Sequence, residues 1–147
     1  LPITWLRFFT VYGPRQRPDM AIHKFCRIID KGEALPVYGD GSSRRDYTYI
    51  SDIIQGIEEA IANCSGYHVY NLGESSTISL KDMITLLEQA LGKKANLRYL
   101  DEQPGDVPVT YADISKAREE LGYRPHTDIT TGIKRFVSWY KNQTENR

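Results

Sequence analysis

Short apolar, β-branched runs alternate with amphipathic helical stripes along this chain, and that alternation leaves α/β as the fold class. Residues 3–12 are apolar or alternating and stop at Tyr12-Gly13-Pro14, a strand closed by a turn. Asp19 is placed to cap a helix over 20–31, where Ile22, Phe25, Cys26 and Ile29 form one stripe and Gly32 stops it. Strands are expected at 35–38 and 45–50, flanking a Gly39-Asp40-Gly41-Ser42-Ser43 loop. Ser51 or Asp52 is then expected to cap a helix whose Ile53, Ile54, Ile57, Ala60 and Ile61 share a face. A strand over 67–71 follows, then a helix begun by a Ser79/Asp82 capping box and ended by Gly92. The remainder reads as a strand at 96–100, a Pro/Gly-bearing loop at 101–108, a short helix at 115–121 and a last helix at 128–141, with 142–147 frayed.

Composition narrows the class further. The chain has 147 residues, enough for one ordinary domain, and 40% are hydrophobic, enough for a core. Its 19 basic and 19 acidic residues cancel, which removes the charge argument for nucleic acid or an anionic membrane. The first fifty residues carry eight Lys/Arg against five Asp/Glu, an excess that reads as solvated surface before it reads as an anion site. No apolar run approaches the ~20 residues of a membrane span. The opening Leu-Pro-Ile-Thr-Trp-Leu-Arg has neither the basic leader nor the cleavage site of a signal peptide. Cys26 and Cys64 stand apart and are expected to be buried thiols of a cytoplasmic protein. His23, His68 and His126 are scattered without metal-ligand spacing, so no metal site is expected.

Two stretches carry more information than periodicity does. Residues 7–21 read R-F-F-T-V-Y-G-P-R-Q-R-P-D-M-A, and residues 45–53 read R-D-Y-T-Y-I-S-D-I. Both resemble signature segments of the nucleotide-diphosphate-sugar epimerases and dehydratases, the extended branch of the short-chain dehydrogenase/reductase family. The resemblance is nearest to UDP-glucuronate and UDP-glucose 4-epimerases and covers essentially the whole chain. It implies the C-terminal half of that fold: residues 1–14 and about 44–73 contributed to the NAD-binding Rossmann domain, and about 15–43 and 74–147 to the substrate-binding domain.

Two elements of such an enzyme are missing from the sequence. A dinucleotide site needs a Gly-rich strand-to-helix turn so that the backbone can approach the pyrophosphate. The only close glycine pair is Gly39/Gly41, and the third position of that match is Arg44. The family's catalytic Tyr has a Lys four residues on, and none of the ten tyrosines does. The chain alone is therefore expected to be inactive, with its partner the missing N-terminal Rossmann half and a homodimer among the allowed assemblies.

Site residues follow from the resemblance. Thr10 is implied to face the sugar near the nicotinamide, with Phe8 and Phe9 beside the cofactor; without the family, two strand aromatics mean core packing. Arg17, before Pro-Asp-Met-Ala, is implied to meet the sugar's C6 substituent. A guanidinium suits a carboxylate there, which favours UDP-glucuronate. Val37 and Tyr38 resemble the base-recognition edge, the first through its backbone and the second through its ring.

Arg45 and Tyr47, two apart on one strand, point to one face. Arg45 is the implied diphosphate ligand. In Gln103-Pro104-Gly105-Asp106-Val107, Asp106 is implied to accept from the ribose hydroxyls. Gln103 stands where some galactose epimerases carry a second phosphate-binding Arg. Asp46, Tyr49 and Asp52 are expected to hold the strand-to-helix junction. A UDP-sugar decarboxylase, a dTDP-sugar 4,6-dehydratase, a non-catalytic binding module and an inert, self-associating piece remain open at this point.

Overall fold

The chain changes sheet partner at Phe9, which splits the expected opening strand in two. In the computed structural model, which describes residues 1–102 and 104–145, β1 (Ile3–Phe8) runs parallel to β6 (Tyr67–Leu72). β2 (Thr10–Tyr12) instead runs parallel to β5 (Tyr47–Tyr49). The switch is made by two backbone bonds: Phe9 N–H to Leu72 O at 3.1 Å, then Thr10 N–H to Asp46 O at 3.3 Å. The expected strand over 45–50 divides for the same reason. β4 (Arg44–Arg45) pairs antiparallel with β7 (Ile78–Ser79), β5 pairs with β2, and Asp46 lies between them. β3 (Ala34–Tyr38) and β8 (Asn96–Leu100) form a further parallel pair.

Five helices among the described residues cover these strands: α1 (Ala21–Lys31), α2 (Ile50–Ala62), α3 (Leu80–Leu91), α4 (Ser115–Leu121) and α5 (Ile129–Glu145). No helix among the described residues is long and apolar enough to cross a membrane. Gly32 ends α1 at φ +67, a conformation that costs glycine nothing, and its neighbour Glu33 returns an N–H to Ile28 O at 3.1 Å. Ser79 caps α3 as expected, accepting from Asp82 N–H at 3.1 Å while its hydroxyl donates to the Asp82 carboxylate at 2.7 Å.

The apolar stripes meet in two clusters. The first joins α1, β3, α3 and α5 through Ile22, Cys26, Leu35, Met83, Leu87 and Phe136; the second joins α2, β6 and α4 through Ile53, Leu72, Ala117 and Tyr123. Burying a side chain of this size contributes about 1.5–3 kcal/mol, which is why these positions fix the architecture.

Several expectations are corrected. Asp19 does not cap α1: Met20 occupies that position without a side-chain cap, and the Asp19 carboxylate is taken by Arg17. Neither Ser51 nor Asp52 caps α2, which starts at Ile50 behind an extended Tyr49. The fully buried Asp52 instead accepts from Thr127 N–H at 3.0 Å and its hydroxyl at 3.3 Å, fastening the segment before α5 to α2. Cys26 is buried but Cys64 is exposed, because it follows the C-terminus of α2. Residues 142–145 continue α5 rather than fray.

Candidate functional site

Because β3 and β8 are parallel, the loops that follow them leave from the same end of the pair. Gly39 N–H donates to Leu100 O at 2.9 Å and holds the two exits together. Gly39 also has to be glycine: its φ is +66, and a Cβ would lie 2.9 Å from Glu102 Cγ. The 39–43 loop is gripped from behind by the first turn of α3, whose Leu80 and Lys81 N–H groups donate to Ser43 O at 2.9 Å and Gly41 O at 3.1 Å. These are N–H groups that a helix cannot satisfy within itself. Asp40 adds an Asx turn, accepting from Ser42 N–H at 2.8 Å, and hydrogen bonding from the Ser42 side chain and backbone holds its carboxyl below the usual range.

The second loop returns alongside β4. Arg44 N–H donates to Pro108 O at 2.8 Å, and Thr110 N–H donates to Arg44 O at 3.1 Å. The two loops enclose a cleft of about 450 Å³ lined by Tyr38, Asp40, Ser42, Arg44, Glu102 and Asp106 among others. A smaller cavity of about 150 Å³ adjoins it, lined by Ser43, Arg45, Tyr47, Ile78, Leu80 and Asp106. Ser43 and Asp106 line both spaces.

Adjacent arginines have separate tasks here. Arg44 turns to the β6–β7 loop, donating from Nε to Thr77 Oγ1 at 2.9 Å and from Nη2 to Thr77 O at 2.7 Å. Arg45 turns to the cleft loop, forming a charge-assisted pair with Asp106 while its Nη1 donates to Arg44 O at 2.9 Å. Tyr47 is buried, and burial raises its phenol pKa.

Four expected site residues thus gather at one place: Tyr38 at one wall, Asp106 between the two spaces, and Arg45 and Tyr47 in the smaller one. Val37 is 1% exposed and in register with Tyr99, so its side chain belongs to the core and only its backbone is left for a ligand. Thr10, Phe8, Phe9 and Arg17 line neither space. Phe8 is half exposed at the end of β1, Phe9 packs on the second cluster, and half-buried Thr10 starts β2. Arg17 is exposed and bidentate to Asp19, at 2.7 and 2.8 Å. Gln103 lies outside the described residues.

The sequence singled out neither Arg44 nor Glu102, although the Gly-Asp-Gly-Ser-Ser loop was the signal for that wall. It also passed over Glu74, which with Asp128, Tyr47 and Thr77 lines a separate cavity of about 180 Å³. Among the described residues, no group of three or more His, Cys, Asp or Glu could hold a metal ion.

A parallel α/β frame that opens a polar cleft between two loops at one strand end is a layout that binds small molecules outside the carboxyl ends of strands. The chain belongs to the family described as GDP-mannose 4,6-dehydratase, whose model matches residues 1–136. It is 43% identical over 146 residues to a UDP-glucuronate 4-epimerase of Thermodesulfobacterium geofontis, covering 99% of this chain and 45% of that protein.

Among solved structures it resembles the UDP-glucuronic acid 4-epimerase of Bacillus cereus in complex with UDP-glucuronic acid and NAD. That match has a TM-score of 0.90 at 40% identity and covers 97% of this chain and 46% of the other. MoeE5 in complex with UDP-glucose and NAD gives a TM-score of 0.92 at 33% identity, over 97% and 48%. The chain spans about half the length of the curated relatives it matches. Its α/β fold is that expected of the C-terminal half of the extended short-chain dehydrogenase/reductase fold.

Proposed function

We propose that this chain is the UDP-sugar-holding portion of an NAD-dependent nucleotide-sugar 4-epimerase, with UDP-glucuronate the preferred substrate. The observation that carries this reading is the placement of Arg45 beside Asp106 where two adjoining spaces meet, with the Tyr38 ring on the wall of the larger. A nucleoside diphosphate needs an aromatic face for its base, an acceptor for its ribose hydroxyls and a cation for its diphosphate. Tyr38, Asp106 and Arg45 supply these in that order, and the backbone of Val37 adds polar contacts to the base. Tyr47 borders the sugar side of the diphosphate, while Thr10 and Arg17 bear on the sugar itself. For Arg17 this requires exchanging Asp19 for a substrate carboxylate, a swap between equivalent bidentate partners.

NAD is the cofactor proposed for the whole protein, with Phe8 and Phe9 bordering it. The described residues do not fit its pyrophosphate. Gly39-Asp40-Gly41 lies between two strands rather than before a helix, and its backbone is committed to Leu100 and α3. No chemical step is assigned to this chain, and its role is to bind and orient. The division into Rossmann-contributed residues (1–14, about 44–73) and substrate-domain residues belongs to this proposal; the core clusters do not follow it, since the first takes in Tyr12, Tyr47 and Tyr49 and the second Ala112, Ala117 and Tyr123.

The test is calorimetric titration of UDP into the chain and into Arg45→Met. Micromolar binding that falls at least about tenfold in the variant supports the reading, since charge-assisted bonds contribute about 1.5–3 kcal/mol. Equal affinities overturn it. Interconversion of UDP-glucuronate and UDP-galacturonate by the chain alone would overturn the expectation of no turnover. The description of the matching family favours a 4,6-dehydratase as the second reading, and loss of water from the sugar by the whole protein would select it.

A further inference from the structure

Arg45, the cation assigned to the diphosphate, is already paired with an anion of the chain itself. We infer that Asp106 makes diphosphate binding at Arg45 conditional on an attached ribose, so that the site takes nucleoside diphosphates and rejects free pyrophosphate and phosphate. This rests on the function proposed above and concerns selectivity within that site.

Four observations carry it. Asp106 lines both the 450 Å³ cleft and the 150 Å³ cavity, which puts it within reach of a ligand that occupies the two together. Its pair with Arg45 joins residues 61 apart in sequence, whereas Arg44 is committed to Thr77 and unavailable as a substitute. Among the described residues of 101–107, the Asp106 bond is the side-chain hydrogen bond that fastens the segment to the rest of the chain. The side chains of Arg45 and Asp106 are 23% and 51% exposed, so the pair is partly shielded yet open to exchange.

An incoming anion without a sugar must displace Asp106 from Arg45 and leaves that half-exposed carboxylate with water alone as donor, beside a new negative charge. The like-charge repulsion offsets part of what the anion gains from the guanidinium. A nucleoside diphosphate meets no such penalty. Its phosphate takes Arg45 while its ribose hydroxyls donate to the displaced Asp106, so both partners stay satisfied. The same carboxylate is thus repulsive to one ligand and attractive to the other, the combination from which selectivity is built.

The experiment is titration of inorganic pyrophosphate and of UDP, separately, into the chain, Asp106→Asn, Glu102→Gln and Arg45→Met. Glu102 lines the same cleft without pairing with Arg45 in the described contacts, so its variant reports the effect of merely removing a negative charge. The expected result is pyrophosphate affinity raised about tenfold or more in Asp106→Asn and at most about twofold in Glu102→Gln, with UDP affinity unchanged or lowered in Asp106→Asn.

Pyrophosphate binding that is equal in the chain and Asp106→Asn but lost in Arg45→Met overturns the selectivity role and leaves the diphosphate site standing. An equal gain in both carboxylate variants also overturns it, as a general charge effect. UDP binding unaffected in Arg45→Met overturns both.

Discussion

The carboxylate of Asp46, between β4 and β5, accepts the backbone N–H of Ala112 at 3.1 Å, a bond between residues 66 apart. It also accepts Glu74 N–H at 2.8 Å, Ser75 N–H at 3.0 Å and the Thr48 hydroxyl at 3.1 Å, and it is fully buried. Backbone donors substitute for a counter-ion around this carboxylate. They tie the turn carrying Arg45 to the segments after β6 and before α4. Asp46→Asn turns an amide NH2 towards N–H groups and is expected to cost about 3–5 kcal/mol, read as a lower denaturation midpoint. A loss below about 1 kcal/mol would show that the hub is not what holds these segments.

Tyr12 and Gly132 form a second testable contact. The Tyr12 hydroxyl is buried without a hydrogen-bond partner among the described residues, and a Cβ on Gly132 would lie 1.9 Å from it. Gly132→Ala is expected to destabilise by about 1–3 kcal/mol through overpacking. Tyr12→Phe removes an unsatisfied hydroxyl and is expected to be neutral or stabilising. Combined, the two should recover part of the loss, since the remaining ring carbon is still 2.6 Å away. Strict additivity in chemical denaturation would argue against contact between them.

Glu74 gives a pH dependence. Its Oε2 is buried without a partner among the described residues, and burial, with Asp52, Asp46 and Asp128 nearby, pushes its pKa up to about 7. The folded chain therefore holds this proton more tightly than the unfolded one. The stabilisation is full below the ordinary Glu value near 4.5 and is lost as pH rises through 7. Glu74→Gln should raise the thermal midpoint at pH 8 by about 2–4 °C and leave the two proteins alike at pH 5. Melting curves offset equally at every pH would refute the assignment.

Tyr38 is expected to act on the base alone. Tyr38→Ala should weaken UDP about 5- to 100-fold, the range for one stacked base, while pyrophosphate affinity stays as it was. A parallel fall in both ligands would move the base elsewhere.

Helix and strand periodicity made most elements legible where a stripe has a sheet or helix to bury against; of the expected α2 face, Ile53 and Ala60 are buried and Ile57 partly so, while Ile54 and Ile61 are exposed. Of the stripe Ile22, Phe25, Cys26 and Ile29, Phe25 is partly buried and the other three are buried, and Ser79 caps as its partner Asp82 implied. What local pattern could not carry was partner choice. Nothing between residues 3 and 12 announces that Phe9 leaves β6 for β5, since both halves are equally good strands. The same limit hid Asp52: an acid in a first turn reads as a cap, and only the distant Thr127 shows where its carboxylate goes. At the site, Arg45 and Asp106 were each legible from their own motifs. Their mutual pairing, across 61 residues, was not.

The parallel pairing of β3 with β8 has a consequence for how such a site can diversify. Both cleft loops hang from one end of a strand pair whose side chains Leu35 and Val37 are locked into the core. Apart from the positive-φ glycines, Gly39 and Gly41 among them, substitutions in 40–43 or 104–109 can therefore accumulate without disturbing the strands beneath them. Ligand preference can drift along a lineage faster than the scaffold does.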